Sequence, residues 1–113
     1  MAIQKLDRSE WAAFFDCLTR SLVGRRAQVE VASRALGSQM VASGLPFLGI
    51  VYDPRDDVIE ITLEGFDHRV PRPQEFYVDD PPFQCATLGL IDGDDVLRIV
   101  KLCDPLMIPP RFD

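Results

Sequence analysis

The stretch from Leu45 to Val70, LPFLGIVYDPRDDVIEITLEGFDHRV, constrains this chain more than any other segment. Asp53-Pro54-Arg55-Asp56 suits a type I turn, with Asp at the first position and Pro at the second. If Pro54 to Asp57 form a four-residue loop, Asp53 faces Val58, Tyr52 faces Ile59, Ile50 faces Ile61 and Leu48 faces Leu63. One face of that hairpin is apolar, and the other collects Glu60, Thr62 and Glu64. The expectation is an antiparallel sheet with one buried side.

Upstream, the pattern changes to a helical one. Asp7 is placed as an N-cap with Glu10 three residues later, and Trp11, Phe14, Phe15, Leu18 and Leu22 fall on one face of a helix over 8–23. Gly24 suits the left-handed residue that ends it. Alternation then suggests a strand over 26–36, whereas Gly37 to Gly44 is small, weakly patterned and reads as a loop. Further strands are expected near 46–53, 58–64, 66–70, 75–78, 84–91 and 96–103, with an extended tail over 104–113. Apart from Pro46, which opens the 46–53 candidate, the prolines fall between or beyond these candidates, as a residue without an N–H requires.

A chain of 113 residues fits one domain, 1–113, long enough to bury its own core without a staple. The net charge of −6 is uneven: residues 1–36 carry +2 and residues 37–113 carry −8. An acidic surface repels phosphate backbones and anionic lipid heads, so neither nucleic acid nor membrane is an expected partner. The basic group Arg20, Arg25, Arg26 and Arg34 is the local exception and reads as solvated charge. No apolar run approaches a membrane span, and MAIQKLDRSEWAAFF lacks the apolar core of a signal peptide. Three cysteines at unpatterned spacings suggest free thiols, hence a reducing, cytoplasmic location.

The last hairpin tests those thiols. With Gly93-Asp94 as a two-residue loop, Leu88 faces Ile99, Leu90 faces Leu97, Cys85 faces Leu102 and Cys103 faces Gln84. The two thiols then take opposite faces, so neither a disulfide nor a shared metal site is expected. A disulfide would need a one-residue slip that sets Arg98 opposite Leu90. Buried, inert thiols are the reading, with Cys17 on the helix.

Chemistry is sparse elsewhere. His68 is the single histidine, and Asp67, Glu64 and Glu75 are the carboxylates that strand pairing brings nearest in prospect. Asp67 is adjacent in sequence, but neighbours on a strand point to opposite faces. The serines sit in no nucleophile elbow, and the seven glycines build neither a dinucleotide fingerprint nor a phosphate loop. The aspartate clusters at 53–57, 79–80 and 92–95 lack the spacing of a calcium loop and suit turns instead. No cofactor is expected.

The combination of LPFLGIVYDPRDDVIEITLEGFDHRV, PQEFYVDD, the hairpin around DGDD, and KLCDPLMIPP resembles a family of short bacterial proteins known only as a domain of unknown function. The resemblance covers most of the chain. It implies a bacterial, cytosolic protein and brings no activity, cofactor or catalytic residue with it. Element order alone is similar to the Sm-like and SH3-like small barrels, and fold does not fix function.

The expected fold is α+β: an N-terminal helix packed on an antiparallel sheet or open barrel of five to seven strands. The expected function is a non-enzymatic protein-interaction module, partnered by another protein or by itself as a homo-oligomer, because strand edges are abundant and a catalytic constellation is missing. The alternative is a small-molecule or metal-binding protein, or an enzyme, built on His68 with Asp67, Glu64 and Glu75. Nucleic-acid binding through the four arginines is a distant third.

Overall fold

The computed structural model describes residues 3–35, 37–79 and 85–103. The tail at 104–113 and the facing position Gln84 lie outside the described residues. The chain is α+β: β1 (Ile3–Leu6), α1 (Arg8–Leu22), β2 (Arg26–Ser33), β3 (Gly37–Asp53), β4 (Val58–Leu63), β5 (Phe66–Pro71), β6 (Pro73–Asp79), β7 (Cys85–Asp92) and β8 (Leu97–Cys103). All pairings are antiparallel, and the strands lie in the order β1-β6-β7-β8-β2-β3-β4-β5, an open sheet of eight strands rather than a closed barrel.

The helix begins at Asp7, whose backbone N–H donates to the Glu10 carboxylate, and turns out of its axis at Gly24, where φ is +91°. Trp11, Phe15, Leu18 and Leu22 form its buried stripe. Phe15 meets Phe76 edge-on at 4.9 Å, and Trp11 meets Tyr52 edge-on at 5.2 Å. Against this stripe the sheet presents Phe47, Ile50, Ile59, Ile61, Leu63, Leu88, Leu90, Val100 and Leu102, all buried. Each such side chain contributes roughly 1.5–3 kcal/mol relative to exposure, so this layer is what holds helix and sheet together.

The sheet has one strand more than the five to seven expected, and a second is longer than expected. Ile3–Leu6 is too short to show alternation and becomes β1 by pairing with β6. Gly37–Gly44, read as a loop, is the first half of β3 and pairs with β2. Its strand state comes from that ladder and not from its own composition, since small residues carry little β preference. The 17-residue β3 serves two partners: positions up to Pro46 pair with β2, and positions from Phe47 onward pair with β4. Pro46 therefore sits inside a strand. It has no N–H to offer, and its carbonyl accepts a bond from the Glu64 N–H at 2.9 Å.

The β3–β4 hairpin pairs Asp53 with Val58, Tyr52 with Ile59 and Ile50 with Ile61. The expected Leu48–Leu63 pair does not form. A bulge takes up Leu48, leaving it 45% exposed, and Phe47 lies opposite Leu63 instead.

The β7–β8 hairpin is one residue out of the expected register: Leu88 faces Val100, Leu90 faces Arg98, and the Cα of Cys85 faces that of Cys103. The cause is Asp95, whose φ of +62° makes the loop Gly93-Asp94-Asp95 rather than two residues. A type I turn followed by one left-handed residue is the common three-residue hairpin. The thiols follow the register. Cys103 is disulfide-bonded and Cys17 is a free, exposed thiol, so the expectation of three buried, inert thiols fails, and with it the argument for a reducing compartment.

Candidate functional site

The same shift of register creates a buried polar cluster on the inner face. Asp92 ends β7 in line with Leu88 and Leu90, and Arg98 opens β8 in line with Val100 and Leu102. The carboxylate of Asp92 accepts the N–H groups of Asp94 at 2.8 Å and Val96 at 3.1 Å through Oδ1, which ties the hairpin loop. Its Oδ2 accepts Arg98 Nη1 at 2.6 Å, with side-chain exposures of only 3% and 11%. Burial alone would raise the Asp92 pKa. The Arg98 hydrogen bond, the two backbone N–H groups and the Arg98 charge outweigh it and hold the carboxyl below its ordinary value.

Arg98 then reaches across to β5, where its Nε donates to His68 Nε2 at 2.8 Å. An imidazole nitrogen that accepts from a guanidinium is unprotonated, so His68 is neutral with its proton on Nδ1. Burial, then the Arg98 charge, lower its pKa. The ring stacks on Phe66 at 6.0 Å. The cluster joins β5, β7 and β8 at the mouth of the core, and an arginine is accommodated there because both of its nearby acceptors are supplied.

The carboxylates grouped with His68 in the sequence reading lie elsewhere. Asp67 is exposed on the outer face, and Glu64 is exposed in the β4–β5 turn. Glu75 accepts the Tyr77 hydroxyl and lies 3.9 Å from Lys5 Nζ. Among the described residues no group of three His, Cys, Asp or Glu side chains is placed to hold a metal ion. Asp92 and Arg98 were missed in that reading. Both share the even-number parity of Leu88, Leu90, Val100 and Leu102, and that period-2 signal places two opposite charges on a core face.

A second polar cluster is a clasp. Arg8 Nη1 donates to the Tyr52 hydroxyl at 2.8 Å and to Asp57 at 3.1 Å, while its Nη2 donates to the Pro73 carbonyl at 2.6 Å. Its guanidinium lies 4.6 Å from the Trp11 ring centre. These contacts tie the helix start to the β3–β4 turn and to β6. Beside them a groove of about 260 Å³ runs between α1 and β3, lined by residues that include Phe15, Thr19 and Val51. The Thr19 hydroxyl accepts the Ile50 N–H at 3.0 Å and donates to its carbonyl at 3.2 Å, covering the β3 edge where β2 has ended. The approach is close: a Cβ on Gly49 would sit 3.3 Å from Thr19 Cγ2. Of the four arginines, Arg20 pairs with Asp16 at 2.8 Å, and Arg26 donates to the Gly44 carbonyl at 2.6 Å.

The outer edge of the sheet at β5 has different properties. Only Glu64 and Gly65 separate Leu63 from Phe66, so Leu63 and Phe66 form a pair that exchanges both main-chain bonds. Alternation from that pair makes Ile61–His68 and Ile59–Val70 hydrogen-bonded pairs as well. The N–H and C=O of Asp67 and Arg69 therefore point away from β4. Among the described residues no other backbone group bonds to them, and both side chains are exposed on the outer face.

Among the described residues no helix is long and apolar enough to cross a membrane. No solved structure matches the chain. A protein of Aquifex aeolicus (strain VF5), described as "Uncharacterized protein", is 31% identical over 110 residues, covering 96% of this chain and 99% of that one. Residues 2–111 match the family of unknown function DUF5335, and the chain belongs to that family.

Proposed function

We propose that this protein is a non-enzymatic interaction module that accepts a strand of another protein chain along the outer edge of β5. The observation that carries this reading is the pair of outward-pointing backbone groups at Asp67 and Arg69. An edge of this kind is a template for a partner strand. Phe66–Val70 contains no lysine, no proline and no bulge, Pro71 stands only at its end, and its two charges, Asp67 and Arg69, are of opposite sign. The stretch of β3 beside α1 that β2 leaves uncovered is occupied by the Thr19 hydroxyl and supports the reading less.

A small-molecule or metal site on His68 has less behind it. Its Nε2 already accepts from Arg98, and the carboxylates assigned to it lie apart from it.

The test is a photo-crosslinking side chain at Arg69, with a control at Gln28 on β2, in the protein expressed in its native host. The reading expects protein adducts from position 69 alone, lost when Asp67→Pro removes the outward N–H. Equal adducts from both positions, or none from position 69, would refute it.

A further inference from the structure

We infer that the strand accepted by the β5 edge is β5 of a second copy, in an antiparallel pair whose two-fold axis passes through His68. This inference rests on the interaction-module reading and names the partner. Three features of β5 are symmetric about His68.

The first is hydrogen-bonding polarity. With His68 opposite its own copy, Asp67 lies opposite Arg69 of the second molecule and Arg69 opposite its Asp67. These are the two residues whose N–H and C=O point outward. Both pairs exchange both main-chain bonds, so four bonds form and His68 occupies the non-bonded position between them. A register one residue away sets outward groups against side-chain positions and forms fewer bonds.

The second is charge. On the outer face the same register sets a carboxylate against a guanidinium twice, where opposite charges directly across a ladder attract. Glu60 already faces Arg69 within the sheet. The joined sheets then carry the row Glu60, Arg69, Asp67 of the second copy and Thr62 of the second copy, with charges alternating across the junction. Edge strands that avoid self-pairing carry like charges at such positions, because these repel their own copy. The third feature is the inner face, where Phe66 lies opposite Val70 of the second copy, an apolar pair flanking the axis on each side.

The test reads association of the full chain by sedimentation velocity over a concentration series. The wild type is expected to form a dimer. Asp67→Arg sets arginine against arginine at both pairs, and Arg69→Asp sets aspartate against aspartate. Each variant alone is expected to weaken the dimer by about tenfold or more. An equimolar mixture of the two variants sets arginines on one strand against aspartates on the other and is expected to restore a one-to-one dimer. Circular dichroism of dilute samples checks folding, since Arg69→Asp also faces Glu60 within its own sheet. Independently of any variant, amide hydrogen exchange of the wild type should show Asp67 and Arg69 protected with rising concentration, and His68 protected at every concentration.

A wild type that stays monomeric overturns the inference, as do single variants that dimerise like it or a mixture that does not recover. The parent reading fails separately. A monomeric protein whose position 69 still crosslinks to a different chain overturns the homodimer and leaves the edge as an interaction site.

Discussion

Replacing Arg98 by methionine isolates the energetics of the buried cluster. The change removes the guanidinium and keeps a side chain of similar length on the inner face. Asp92, 3% exposed, then holds a buried carboxylate without its cation. Breaking such a pair from one side costs about 3–5 kcal/mol. Asp92 keeps the N–H groups of Asp94 and Val96, so the loss belongs at the low end, about 3 kcal/mol, or a fall in Tm of roughly 12 °C for a domain of this size. Asp92→Asn combined with Arg98→Met removes both charges, and the asparagine carbonyl still accepts the two loop N–H groups. The double variant is expected to recover about 1.5 kcal/mol or more relative to Arg98→Met alone. Urea unfolding at neutral pH, compared at equal m, measures the whole cycle. A loss under about 1 kcal/mol for Arg98→Met, or a double variant that equals the sum of the singles, would show that the two charges are not coupled through burial.

Three further outcomes follow from the same contacts. His68 has a lowered pKa in the folded chain, so its stabilising contribution is complete above the ordinary value of about 6.5 and is lost as pH falls through the folded value. Tm should therefore fall between about pH 8 and about pH 5 more steeply in the wild type than in His68→Gln, and superimposable profiles would contradict this. Asp92 is also depressed, but its contribution is lost only on further acidification, near the carboxyl range. Thr19→Val keeps the shape and leaves the Ile50 N–H and carbonyl without the hydroxyl, at a cost of about 1–3 kcal/mol that Thr19→Ser should largely restore. Ile61→Asp puts a charge at a fully buried position and should prevent cooperative folding, whereas Glu60→Lys on the neighbouring face should cost under about 1 kcal/mol. Thermal melts of the pair test the facing of β4 directly.

The parts legible in the sequence are those where a local rule and the tertiary fold agree. Asp53-Pro54 starts a turn by its own chemistry, and the side chain of Asp53 accepts the Arg55 N–H at 2.9 Å, so the pairs near that turn follow. The helix stripe is equally local. The bulge at Leu48 was not readable, because both Phe47 and Leu48 are apolar and either suits an inner position. Nor was Asp95, since a non-glycine residue in the left-handed region breaks a preference that sequence reading relies on. That single conformation moved β8 by one residue, and with it the cysteines, Arg98 and the candidate site. His68 was singled out as the only histidine. Its partner was sought among carboxylates because attraction is the usual reason to pair. Here the histidine accepts from a cation that a buried carboxylate has already neutralised.

The order of the strands has a consequence for how the chain is made. β6, β7 and β8 form a meander that enters the sheet between β1 and β2, although it is synthesised after β5. A nascent chain that has emerged only through β5 carries the β2–β5 meander with the far side of β2 bare, and β1 without a neighbour. At about 5–20 residues per second the ribosome needs a few seconds to deliver the remaining strands. Ala27 and Val29, fully buried in the finished molecule, lack β8 beside them throughout that interval. A message truncated after β5 yields a chain fixed in that half-built condition, with the far side of β2 permanently open to its neighbours on the polysome.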